Sequence, residues 1–144
     1  MRASFGDQRS GAPYKTERKF FDFVVGGLSL YDALGHSRDL ISALWNPPVV
    51  PIEGDRAIRR LLLADGGDAS EGRVSLFICP ECGDLGCGAI TVRIERFDTA
   101  IVWRDIGYEN NYEPTVDLGS FATVGPFLFE PYGYVTKLEA LLQH

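Results

Sequence analysis

Apolar and polar residues alternate most cleanly between Gly88 and Phe97. Ile90, Val92 and Ile94 fall on one face there, and Thr91, Arg93 and Glu95 on the other. A period of two predicts a strand buried on one side. Arg73–Cys79 before it and Ala100–Ile106 after it, the latter carrying Ile101, Val102 and Trp103, are further strand-like runs. The links are short, with Asp98-Thr99 as a tight turn, and so favour an antiparallel meander. Earlier, Lys19–Val25 (KFFDFVV) is aromatic and β-branched and stops at Gly26-Gly27, the pattern of a strand entering a turn.

Helical spacing is found in three places. Ser29-Leu30-Tyr31-Asp32 has the form of a capping box and predicts a short helix from about Leu30 to Leu34, ended by Gly35. Asp55–Ala64 carries Ala57, Ile58, Leu61 and Leu62 on one stripe, which leaves Arg56, Arg59 and Arg60 towards water. Tyr134–Gln143 is amphipathic, with Val135, Leu138, Leu141 and Leu142 inward. Between these, His36–Trp45 reads either as a short helix or as an irregular packed segment. Asn46-Pro47-Pro48 ends any helix there, and Val49–Ile52 crosses onward as an extended link.

Polar stretches separate the elements. Asp65–Gly72 is a glycine-rich loop, and Gly107–Gly119, broken by Asn110-Asn111 and Pro114, is too polar to continue a strand. Phe121–Phe129 is interrupted by Gly125-Pro126 and reads as an extended edge. Residues 1–16 lack periodicity and are expected to be a mobile leader to a single domain over 17–144. The fold class that follows is α+β: an antiparallel sheet of four or five strands with two or three flanking helices.

Composition sharpens this picture. With 144 residues, 45% of them hydrophobic and 24% charged, the chain can close a core of its own. Its net charge of −6 repels phosphate backbones, which argues against nucleic acid and suits a basic protein partner. No run approaches the roughly 18 apolar residues of a membrane span, so no membrane role is expected. The N-terminus has no apolar signal region, so the expected location is cytoplasmic, where thiols stay reduced.

All three cysteines lie in one turn, Cys79-Pro80-Glu81-Cys82-Gly83-Asp84-Leu85-Gly86-Cys87-Gly88. The Cys-x-x-Cys spacing can aim two sulfurs at one point, and the glycines let the third join them, which suits zinc. Structural zinc takes four ligands, so a fourth is needed. His36 is the first candidate, ahead of His144, Asp84, a water or another subunit. A dithiol–disulfide pair at Cys79 and Cys82 ranks below zinc, because Glu81 and Asp84 oppose thiolate formation. Plain packing of the three sulfurs is the bland alternative. An odd count argues against a disulfide framework.

CPECGDLGCG, followed by the alternating strand and a Trp-Arg-Asp strand, resembles a group of small bacterial proteins that carry a CPxCGDxGCG turn. The resemblance covers roughly residues 73–113. It implies a bacterial cytosolic protein and carries no activity with it.

Other chemistry has little material. Two histidines give acid–base and triad mechanisms few groups, and neither Gly26-Gly27 nor Gly66-Gly67 has the companions of a phosphate-binding loop. The second conspicuous stretch is Trp103–Glu113. It mixes Trp103, Tyr108 and Tyr112 with Asp105, Glu109 and Glu113, a suitable surface for a partner or a cationic ligand. Its plain alternative is a core tryptophan, tyrosines covering the sheet end and solvated acids. The function expected is a non-enzymatic binding protein, acidic and inhibitor- or immunity-like, with a cysteine turn for zinc. The alternative is a thiol- or metal-dependent enzyme or redox protein using Cys79, Cys82 and Cys87.

Overall fold

Two antiparallel sheets share one apolar core in the computed structural model, which describes residues 3–11, 18–35, 40–44, 52–67, 69–79, 88–110 and 115–141. The first sheet holds β1 (Ala3–Gly11), β2 (Arg18–Val25) and β3 (Leu28–Ser29), in that order. A wide helical turn, Tyr31–Gly35, leads on to β4 (Ile41–Ser42) and helix α1 (Ile52–Leu61). The remaining elements are β5 (Val74–Ile78), β6 (Ala89–Arg96), β7 (Ile101–Glu109), β8 (Phe127–Phe129) and helix α2 (Pro131–Glu139). Strands β4 to β8 form the second sheet in sequence order, five strands with every neighbour antiparallel. The α+β class and an antiparallel sheet of five strands are as expected, with the predicted meander at β5 to β7; β4 extends it where a short helix or irregular segment was expected, and the strand expected at Lys19–Val25 belongs to the separate first sheet.

The stretch read as a mobile leader instead holds β1, paired with β2 from Ala3 against Val25 to Gly11 against Arg18. Its sequence is polar because it lies at a sheet edge, where no periodic apolar face is demanded. Strand β7 also runs beyond Ile106. Gly107 and Tyr108 still pair with Thr91 and Ile90, and Tyr108 exchanges two backbone bonds with Asp117, of 2.9 and 2.8 Å. Those bonds turn part of the expected 107–119 loop into sheet. Within the ambiguous segment over 36–45, of which residues 40–44 are described, Ile41 and Ser42 form β4 and face Ile78 and Phe77. Helix α2 begins at Pro131, earlier than the apolar stripe suggests, because Glu130 caps it: its carboxylate accepts from the Gly133 amide at 2.7 Å.

The turn after β3 shows how local sequence and core cooperate. Ser29 Oγ accepts from the Asp32 amide at 3.2 Å, the cap expected of it. A second carboxylate supports the turn. Asp22, buried on β2, accepts from Ser29 Oγ at 2.5 Å and from the Tyr31 amide at 3.0 Å. A buried carboxylate is tolerable only with donors of this kind around it.

The inner faces meet in an aromatic cluster. Trp103 is fully buried, with the rings of Phe23 at 5.6 Å, Phe129 at 4.8 Å and Tyr134 at 6.2 Å, all edge-on. Tyr134 ties three elements together: its hydroxyl donates to the Leu61 carbonyl at 2.6 Å and accepts from Trp103 Nε1 at 3.1 Å. The Leu61 carbonyl ends α1 and would otherwise need another donor. Burial pushes the Tyr134 phenol far above its ordinary value of 10.0. The unfolded chain therefore ionises first, and this residue's contribution to stability is lost as pH rises through about 10 and beyond. Tyr134→Phe is expected to cost about 2 kcal/mol in urea unfolding, by leaving both partners short. The same variant should lose less stability than the parent on going from pH 9 to pH 11; an unchanged alkaline limb would contradict the assignment.

Candidate functional site

The outer face of the second sheet begins with the outward residues of β6, namely Thr91, Arg93 and Glu95. Opposite them on β7 stand Gly107, Arg104 and Val102, and Val102 in turn faces Leu128 on β8. Between the Thr91 and Arg93 pairs the register slips, so that Asp105 and Ile106 oppose the single residue Val92. This is a β-bulge, and its Asp105 is left-handed at φ 54°. Non-glycine residues avoid that region, although aspartate tolerates it better than most.

A buried polar cluster holds the bulge in place. Arg73, just before β5, donates through one terminal nitrogen to the Asp105 carbonyl and to the Thr91 carbonyl, the latter at 2.9 Å. Its Nε donates to Thr91 Oγ1 at 2.9 Å, and that hydroxyl donates onward to Glu109 at 2.6 Å. Glu109 also sits 3.4 Å from Arg73 Nε, and the two side chains are only 6% and 3% exposed. Burial lowers the Arg73 pKa from its ordinary value, and the Glu109 carboxylate opposes that shift by favouring the charged form.

Above this cluster the charges are exposed. Arg104 forms a close ion pair with Glu95, and Arg93 one with Glu71 at 3.3 Å. The Asp105 carboxylate stands further off, 4.0 Å from Arg93 Nε and 3.8 Å from Arg104. Pairs of this kind stabilise the fold little, because water and salt screen them.

Beside Asp105 opens a groove of about 430 Å³. Val102, Ile106, Phe121 and Val124 give it apolar surface, Leu118 and Pro126 line it from the 115–126 segment, and Arg104 and Asp105 supply its charges. Gly107 permits this arrangement. A Cβ there would lie 2.9 Å from the Asp117 carbonyl oxygen and closer still to the Val116 and Leu118 side chains, so glycine lets that segment's backbone rest on β7. Asp117 fixes the next turn by accepting from the Gly119 amide at 3.0 Å and from Ser120 Oγ at 2.8 Å. Leu118 and Leu128 remain 42% and 49% exposed, large apolar side chains left towards water at the groove and on the neighbouring strand.

Of the residues expected to form a binding surface, Asp105 is the one among the described residues that lines the groove. Trp103 belongs to the core, and Glu109 is sealed in the ion pair with Arg73, so neither offers a surface. Tyr108 is half-buried and lays its phenol over Gly88, at the end of the cysteine turn. Tyr112 and Glu113 lie outside the described residues, as do Cys82, Cys87 and His36 of the expected metal set. Cys79 is buried next to β5. Among the described residues no group of three or more His, Cys, Asp or Glu could hold a metal ion, and no helix is long and apolar enough to cross a membrane. Sequence reasoning passed over Arg73, Leu118, Phe121 and Val124. Val116 and Leu118, apolar inside a polar loop, were the available signal. No protein-family model, curated protein or solved structure matches this chain.

Proposed function

We propose that this chain is a non-enzymatic binding protein, inhibitor-like in its acidity, and that a basic protein docks on the outer face of β7 and β8. The observation that carries the reading is the groove: apolar lining from Val102, Val124 and the exposed Leu118 over the buried Ile106 and Phe121, with the exposed carboxylate of Asp105 at its edge. An apolar centre within a charged surround is the anatomy of a protein interface. Among the described residues, Glu71, Glu95, Asp105 and Asp117 on this face outnumber Arg93 and Arg104, in keeping with the net charge of −6. Burial of Cys79 counts against a thiol enzyme acting through that residue, since an attacking thiolate needs access to its substrate. Zinc in the cysteine turn enters the proposal only as a cross-link of the β5–β6 connection. Elemental analysis reads it directly, and zinc-free protein with full partner affinity would remove it.

The test starts from a protein captured out of the native cell and measured by calorimetry with purified components. Leu128→Lys is expected to weaken binding at least tenfold, roughly 1.4 kcal/mol, and raising the salt should weaken binding by the parent. Tyr132→Ala, on an exposed ring of α2, is expected to leave affinity unchanged. A captured protein that is acidic, or that binds the Leu128→Lys variant as tightly as the parent, would overturn the reading.

A further inference from the structure

We infer that the groove beside Asp105 is a receptor for one long aliphatic cation, the arginine side chain of a docked basic partner. This rests on the docking reading above and names the group that the site selects. Three observations carry it. The first is chemical shape: an apolar channel bordered by a carboxylate matches a side chain with an aliphatic stem and a charged head.

The second is the state of the resident charges. Arg104 has Glu95 and Arg93 has Glu71, so each guanidinium at the site already holds a carboxylate of its own. Asp105 is paired only loosely, as the second and more distant carboxylate of both arginines. Among the described residues its carboxylate accepts no hydrogen bond, and its two cationic neighbours stand at 3.8 and 4.0 Å, beyond hydrogen-bonding reach. Both of those contacts fall on Oδ2, so Oδ1 faces no resident cation among the described residues, and an incoming guanidinium can still span the two oxygens with parallel bonds, which an ammonium cannot reproduce.

The third is the backbone beneath it. Asp105 is held left-handed on a bulge, and Arg73, Thr91 and Glu109 are buried to keep it there. Strain of that sort, over-determined by its surroundings, is characteristic of ligand-gripping positions. Arg73 is thus a positioning residue. It touches the Asp105 carbonyl and not the groove.

The experiment titrates the full-length chain, labelled with nitrogen-15, with N-butylguanidinium, its neutral isostere N-butylurea, and N-butylammonium. The expected result is saturable shifts at the amides of Ile106, Leu118 and Val124, with N-butylguanidinium at least tenfold tighter than N-butylurea and clearly tighter than N-butylammonium. Asp105→Asn keeps a residue suited to left-handed backbone and should keep a native spectrum while abolishing the preference for the cation. Leu118→Lys places its own aliphatic cation at the groove and should block N-butylguanidinium. Equal binding of the urea, equal binding of the ammonium, shifts mapping elsewhere, or an unaffected Asp105→Asn variant would each overturn the assignment. The two readings fail separately. If N-butylguanidinium does not bind but Leu128→Lys still releases the partner, docking stands and the arginine site falls; the reverse pattern removes the docking face and leaves the cation site.

Discussion

Arg73→Met should destabilise the protein by about 3–5 kcal/mol, the effect of stranding one member of a buried ion pair. The substitution removes the Arg73 guanidinium that stands 3.4 Å from the Glu109 carboxylate, itself only 6% exposed. It also removes the donors that serve Thr91 Oγ1, the Thr91 carbonyl and the Asp105 carbonyl. Urea unfolding followed by tryptophan fluorescence reads the loss, because Trp103 sits in the core on the opposite face of the same sheet. Arg73→Met with Glu109→Met should recover much of it, since a buried pair replaced by apolar groups is often close to neutral. Recovery stays incomplete, as the two backbone carbonyls still lack their donor. A single variant that loses less than about 1 kcal/mol would mean that the cluster is solvated in the folded protein and does not fix the bulge.

Trp103→Ala is the second large effect, about 3–5 kcal/mol, which is a sizeable part of the 5–15 kcal/mol typical of a domain. Its ring fills the space between Phe23, Phe129 and Tyr134, and its indole nitrogen donates to the Tyr134 hydroxyl. Both sheets and α2 contribute to that contact, so the cavity cannot close by moving one element. Calorimetry should show a fall in Tm of roughly 10 °C or more at this chain length. Trp103→Phe should cost less by restoring part of the packing, and its effect should fall short of additivity with Tyr134→Phe, because the two substitutions remove the same hydrogen bond. If Trp103→Ala proved as mild as a surface change, the aromatic cluster would not be the centre of the core.

The alternation along Gly88–Phe97 made β6 legible, and the short turns made the meander legible, because a half-buried central strand needs an apolar residue at every second position. Strand β1 was illegible for the converse reason. An edge strand can be polar throughout, so Ala3–Gly11 reads like a disordered segment. The candidate site was half legible. Trp103 and Glu109 are both odd-numbered residues of one strand, yet Trp103 points inward with Ile101 while Glu109 points outward opposite Ala89. The bulge at Asp105–Ile106 inverts the phase between them. No periodicity argument that runs through Ala100–Glu109 can place both. Asp105 drew attention by its charge among aromatics, but the residues that make its groove, Leu118, Phe121 and Val124, come from a segment that becomes a wall only when packed on β7.

The tie at Tyr134 also has a kinetic side. Its hydroxyl bond to Leu61 closes a span of 73 residues, and its bond from Trp103 closes one of 31. Contacts of such separation cost chain entropy before they give anything back, so local turns and the β6–β7 hairpin have every chance to form first. The tie is therefore expected to form late on the way to the native state, so that Tyr134→Phe should speed unfolding more than it slows folding. Tyr134 in this sense acts as a latch: fastened last, it sets how long the assembled sheets and helices stay together.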